Sequence, residues 1–161
     1  GTTFAQDSTG KIAETGWNGS GGGVSGVFDL PDWQKNFSAP FVKRSYPDVA
    51  FNADPNSGQA IYTDAEGGSP MWMVIGGTSM AAPQWAGFMA LVAQARQAQG
   101  KADVGFLNPV IYGLNDGQRA AMFHDVTVGN NGIYNCNAGW DAITGWGSMQ
   151  ADQLLNYLQT L

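Results

Sequence analysis

The sequence predicts one domain that mixes strands with helices, on three observations. Short apolar runs bounded by turn residues read as buried strands, Met71-Trp72-Met73-Val74-Ile75 most clearly. From Ala81 onward, Trp85, Phe88, Val92 and Ala95 follow the spacing of one helical face, widened by Met89 and Leu91. A second helical pattern closes the chain from about Met149 to Leu161, with Leu154, Leu155, Leu158 and Leu161 as its apolar face. The chain has 161 residues, 43% hydrophobic and 12% charged, enough for a sizeable core and too apolar for a disordered chain.

Taken in order, Thr2-Thr3-Phe4 reads as a strand, followed by the polar turn Asp7-Ser8-Thr9-Gly10. Residues 14–26, rich in Gly and Trp, read as an irregular loop. Pro31 opens a short helix through Asp32-Trp33-Gln34, since proline suits an early helical position. Pro47-Asp48-Val49-Ala50-Phe51 reads as a short buried strand, and residues 52–58 as a turn cluster. Residues 59–63 and 71–75 form a hairpin around Glu66-Gly67-Gly68. In the long helix Pro83 is expected in the first turn, where proline is tolerated, and Gly100 supplies the stop. Residues 101–148 read mostly as loop, with a helical piece near Pro109-Val110-Ile111-Tyr112. No internal repeat and no domain boundary is visible.

Composition excludes several roles. Seven basic residues against thirteen acidic ones make nucleic acid an unsuitable partner. The single cysteine, Cys136, rules out an internal disulfide and a cysteine-built zinc site. No run of about 18 apolar residues marks a membrane helix.

The chemistry concentrates in Gly76-Gly77-Thr78-Ser79-Met80-Ala81-Ala82-Pro83. A serine between a buried strand and a helix start can be exposed as a nucleophile and backed by backbone N–H groups. The plainer reading is a serine that caps the helix N-terminus. The only histidine, His124, lies after the serine, so the usual catalytic base is in question from the start.

Gly-Thr-Ser-Met-Ala-Ala-Pro resembles the serine segment of the subtilisin clan. A subtilisin has its Asp and His upstream of the serine, and no histidine stands upstream here. The rest of the chain resembles the sedolisin family of serine-carboxyl peptidases. The resemblance rests on Gly21-Gly22-Gly23-Val24-Ser25 with Phe28, Pro31-Asp32-Trp33-Gln34, Pro47-Asp48-Val49-Ala50 and Asn52-Ala53-Asp54-Pro55. It continues through Gly76 to Ser79, Leu107-Asn108-Pro109 with Tyr112, Phe123-His124-Asp125-Val126-Thr127, and Gly139-Trp140-Asp141 to Ser148. It implies an α/β, subtilisin-like fold with a parallel-sheet core and flanking helices. It also implies a secreted endopeptidase acting at acid pH on peptide or protein substrates, with Ser79 as nucleophile.

In that family a Glu is the general base, one Asp orients it and another Asp serves the oxyanion hole, all far N-terminal to the serine. A carboxylate base works where histidine would be protonated, and a protonated Asp can donate to an oxyanion. The matched segments begin after those acids. Residues 1–161 are therefore expected to be the C-terminal portion of one catalytic domain, inactive alone, with its acids on an N-terminal segment or chain. Neither Glu14 nor Glu66 is assigned as the base.

The resemblance further implies one structural Ca²⁺ held in a loop at about 123–148. Asp125 and Asp141 would supply carboxylates, and Val126, Asn137 and Gly139 backbone carbonyls. Calcium takes roughly six to eight oxygens, so water would complete the shell. Where the family has Gly, this chain has Asn137, the non-Gly residue that best tolerates unusual backbone angles. The plain alternative is two turn aspartates without a metal. His124 reads as structural beside this loop, and Cys136 as a bystander. Two other readings of the whole stay open: a subtilisin-type protease with Asp and His elsewhere, and a non-catalytic calcium-stabilised homologue.

Overall fold

β1 (Thr2–Gln6) and β2 (Ile12–Gly16) pair antiparallel, with Thr2 opposite Gly16 and Gln6 opposite Ile12. The expected turn joins them: Asp7 Oδ1 accepts from the N–H groups of Thr9 at 2.8 Å and Lys11 at 3.0 Å. The computed structural model to which these elements belong describes residues 1–35, 42–64 and 67–161. β3 (Gly23–Asp29) pairs antiparallel with β4 (Lys43–Tyr46). Between them in sequence is the expected short helix, α1 (Asp32–Lys35). Gln34, 1% exposed, donates from Nε2 to Ser45 O at 2.8 Å and accepts from Ser45 N at 2.9 Å. One side chain thus stands in for a neighbouring strand along β4.

β2 and β3 occupy much of the 14–26 region expected as irregular loop. Their glycines carry no local strand signal, and the backbone is extended because pairing with β1 and β4 satisfies it. Conversely, the strand expected at Pro47–Phe51 contracts to bridge contacts. Ala50 bridges Ser148 and Asn52 bridges Thr2, both in parallel. The expected hairpin forms as β5 (Gln59–Thr63) and β6 (Met71–Ile75), with Gln59 opposite Ile75 and Thr63 opposite Met71. Glu66 in its turn lies outside the described residues.

α2 runs Thr78–Gln97, starting three residues earlier than its apolar pattern. Pro83 is therefore in the second turn, not the first, and its missing N–H leaves the Ser79 carbonyl without an i+4 donor. α3 (Asn108–Gly113) matches the expected helical piece. α4 (Asp116–Met122) was expected as loop; its start is set by a capping box in which Asn115 Oδ1 accepts from Gln118 N and Gln118 Oε1 from Asn115 N. β7 (Phe123–His124) pairs antiparallel with β8 (Ser148–Met149). α5 covers Ala151–Leu158, shorter than expected because Met149 is taken into β8.

α2 packs against α3, α4 and α5 through Phe88, Val92, Ile111, Met122, Leu154 and Leu158. Arg96, buried at the end of α2, donates to Leu158 O at 2.7 Å, and Lys101 Nζ to Gln159 O at 2.7 Å. Two cations at the C-terminus of α5 oppose its helix dipole. A smaller cluster of Val126, Cys136 and Ile143 sits under the Gly/Asn-rich loop. The elements are α/β in content. Among the described residues the named sheets are antiparallel pairs, and parallel pairing is seen at the two bridges. No helix there is long and apolar enough to cross a membrane.

Candidate active site

Ser79 is exposed at the second residue of α2, directly after the strand β6 and the Gly76-Gly77 turn. The turn is glycine for two separate reasons. Gly77 has φ +98°, a conformation that side chains with a Cβ rarely adopt. A Cβ on Gly76 would lie 2.5 Å from Pro55 N and 2.8 Å from Ala53 O, so only glycine allows this approach. Gly77 N then donates to Ala53 O at 2.5 Å.

The segment that receives the turn is itself stiff. Asp54 accepts from Asn56 N at 2.9 Å and from Thr3 Oγ1 at 2.8 Å. Chiefly the Asn56 backbone N–H, aided by Thr3 against the effect of burial, holds the Asp54 carboxyl below the usual carboxylate range. Gln84 Nε2 donates to Asn52 O at 3.0 Å and Trp85 Nε1 to Ala50 O at 3.0 Å. The Gly77 cap and two neighbouring side chains of α2 are thus tied to residues 50–53.

Ser79 does not cap the helix. The cap position is Gly77, and no side-chain cap bond is made. Met80 N and Ala81 N are served by Gly77 O, while the N–H groups of Thr78 and Ser79 belong to the first turn and have no intrahelical acceptor. An exposed hydroxyl beside such donors is the arrangement that acyl transfer needs. A cavity of about 430 Å³ opens beside Thr78, Ala81 and Trp85.

His124 is not brought to Ser79 by any hydrogen bond among the described residues. It is half-exposed, with Nε2 3.9 Å from Glu14 Oε2. The Glu14 side chain, largely covered, accepts from Ser148 Oγ at 2.7 Å, in a structural position between β2 and β8.

The five residues expected to hold calcium are divided between surface and interior. Asp125 is exposed and its Oδ2 accepts from Gly139 N at 2.8 Å. Asp141 is buried: Oδ1 accepts from the N–H groups of Ile143 and Thr144, both at 2.8 Å, and Oδ2 from Thr144 Oγ1 at 3.0 Å and Asn137 N at 3.3 Å. Each carboxylate thus accepts from one backbone N–H of residues 137–139, while the other three bonds to Asp141 come from Ile143 and Thr144. Val126 is buried below residues 137–141, against Cys136. Burial pushes the Cys136 thiol up to about 11, which keeps it uncharged and suits a bystander. Among the described residues no three His, Cys, Asp or Glu side chains cluster as a metal site. A cation here would draw its remaining oxygens from carbonyls and water, the hard-oxygen donor set that calcium accepts.

Comparison with known proteins decides what the serine turn belongs to. Over 171 residues the chain is 42% identical to kumamolisin of Bacillus sp. (strain MN-32), covering 94% of this chain and 29% of that protein. It is 33% identical over 175 residues to sedolisin of Pseudomonas sp. (strain 101), covering 99% and 28%. The solved Pseudomonas sedolisin, a serine-carboxyl proteinase complexed with two molecules of pseudo-iodotyrostatin, superposes with a TM-score of 0.84 at 32% identity over 99% of this chain and 45% of that one. The chain is a sedolisin homologue. No family model matches it. It spans less than a third of the length of these curated relatives. The structural match supports the α/β fold implied by the resemblance.

In this sedolisin-like chain Ala53, Asp54 and Pro55 were matched to the family and Trp85 to a helical face, but neither these residues nor Gln84 were expected from sequence to seat the serine turn. Asp54-Pro55-Asn56 did carry a signal, since an Asp before Pro-Asn favours an Asx turn. Nothing local signals that such a turn lies under Gly76.

Proposed function

We propose that the chain is the C-terminal part of the catalytic domain of a secreted serine-carboxyl peptidase that cleaves peptide bonds at acid pH. The observation that carries this reading is Ser79: exposed, uncapped and held at a rigid glycine turn inside a chain homologous to sedolisins. Ser79 Oγ attacks the scissile carbonyl while its proton passes to a glutamate. The tetrahedral oxyanion is met by a protonated Asp and by backbone N–H. Collapse expels the amine, which takes the proton from the glutamate, and leaves an acyl-enzyme that water hydrolyses. The glutamate, its orienting Asp and the oxyanion Asp belong to an N-terminal segment of the peptidase, within the length of the relatives that this chain does not match. That segment would also extend the two parallel bridges into a parallel-sheet core.

The same reading assigns one structural Ca²⁺ to the 123–148 loop, with Asp125 and Asp141 as carboxylate ligands and Val126, Asn137 and Gly139 as carbonyl ligands. The bonds from Gly139 N to Asp125 and from Asn137 N to Asp141, which bring both carboxylates beside two of the expected carbonyl donors, support it. Calcium supplies no step of the hydrolysis; it ties the C-terminal loops together.

The test is peptide hydrolysis by the complete protein at acid pH, with and without Ser79→Ala. Retained hydrolysis in the variant removes Ser79 as nucleophile, and an optimum near neutral pH points away from carboxylate catalysis. For the metal, chelation is expected to lower the thermal midpoint and release about one calcium per chain. An unchanged midpoint with no bound metal removes the calcium assignment.

A further inference from the structure

Residues 47–53 run from the C-terminal loops to the serine turn, and their backbone is bonded on the way to elements remote in sequence. Pro47 O accepts from Trp140 Nε1 at 2.9 Å and Asp48 O from Trp146 N at 2.9 Å. Ala50 N donates to Gly147 O at 2.9 Å, and Phe51 O accepts from Thr2 N at 2.9 Å. At the far end Ala53 O receives Gly77 N, the amide of the serine turn. A close-packed segment bonded this densely transmits a shift rather than absorbing it.

The end away from Ser79 is held by a side chain. Asp48 Oδ1 accepts from the Tyr112 hydroxyl at 2.8 Å, and Oδ2 accepts from the Arg44 guanidinium. The two side chains of this ion pair are 21% and 19% exposed. Their partners are fixed in turn. The Tyr112 hydroxyl accepts from Gln34 Nε2 at 2.9 Å, and Gln34 is bonded to β4. The Tyr112 ring packs on Trp33, with centroids 4.8 Å apart, and on Trp146, at 6.0 Å. The Arg44 guanidinium lies 4.9 Å from the centre of the Trp33 ring. β4, α1 and α3 thus meet at one carboxylate. Desolvation offsets much of the attraction in an ion pair withdrawn this far from water, so stability alone explains the cluster poorly. A satisfied polar network does impose one geometry.

We propose that Asp48 is a positioning residue for Ser79. The clamp of Tyr112 and Arg44 on its carboxylate fixes residues 49–53. These fix the serine turn and the start of α2 through Ala53 with Gly77, Asn52 with Gln84 and Ala50 with Trp85. This rests on the function proposed above and adds to it a group that never touches substrate. A misplacement of about 1 Å, even from a change far from the chemistry, costs about 10²-fold in rate. The clamp therefore acts on kcat and not on substrate affinity.

Removing Asp48 outright strands Arg44 and endangers the fold. The test therefore uses Tyr112→Phe in the complete protein, which keeps the ring and deletes one hydroxyl. Arg96→Ala, which cuts the bond to Leu158 O at the other end of α2, controls for general loosening. Tyr112→Phe should lower kcat by about ten-fold or more, with KM within about three-fold of the parent. It should also speed amide hydrogen exchange over residues 76–81 by about three-fold or more. Arg96→Ala should do neither, although its thermal midpoint falls. A smaller change in Tyr112→Phe, or an equal one in Arg96→Ala, makes the cluster a matter of stability alone and overturns the proposal. If the unmutated protein hydrolyses no peptide, the peptidase reading falls and hydrogen exchange by itself decides the clamp. An active protein whose kcat survives Tyr112→Phe overturns only the clamp.

Discussion

The serine turn and the acidic loop solve opposite problems. At Gly76–Ser79 the backbone does the anchoring: Gly77 N reaches Ala53 O, Gly76 lies against Pro55, and the Ser79 side chain is left exposed. In the 125–141 loop the side chains do the anchoring, and Asp141 alone accepts four hydrogen bonds. The Ser79 side chain is kept clear of structural bonds, and the Asp141 carboxylate is engaged in them. The two regions should therefore fail differently when mutated.

The largest effect is expected at Ser79. Ser79→Ala in the complete protein should lower kcat by about 10⁴-fold or more, with a stability change within about 0.5 kcal/mol. Kinetics paired with denaturant unfolding check both halves, and a large stability loss would mean that the serine is structural after all. Asp141→Ala should do the reverse. Removing the acceptor strands the buried N–H groups of Ile143 and Thr144 and should cost about 3 kcal/mol of stability. Under conditions where the variant is still folded, its kcat should stay within a few-fold of the parent. A kcat loss as deep as that of Ser79→Ala would erase the contrast between the regions.

The smallest effect concerns how the turn withstands acid. The folded-state pKa of Asp54 is depressed, so the stability it contributes is present above the ordinary carboxylate pKa of about 3.9. That contribution is lost as pH falls through the lower, folded-state value. Asp54→Asn should be less stable than the parent at pH 5, and the gap should narrow as pH drops below about 3. Unfolding midpoints measured across that range would show it; a gap that stays constant or widens on acidification would disprove the assignment.

Legibility followed the range of the interactions. The β5–β6 hairpin and α2 were readable because a five-residue apolar run and a helical repeat are local patterns. α4 was missed although its Asn115-to-Gln118 capping box is a local signal, because too few apolar residues follow it to mark a face. β3 and β4 were missed for a different reason: their pairing joins residues about twenty apart, and Gln34 completes it from a helix.

The candidate nucleophile was named from its motif, and the loop residues Asp125, Val126, Asn137, Gly139 and Asp141 from the family resemblance. Sequence by itself determined which residues could react or bind, and the family they resemble. Only tertiary structure decided that Ser79 does not cap its helix, that Pro55 forbids a side chain at Gly76, and that Asp125 and Asp141 each accept an N–H from residues 137–139. Those outcomes depend on distances between residues remote in the chain. Such distances are set by packing and backbone hydrogen bonding, which no local pattern encodes.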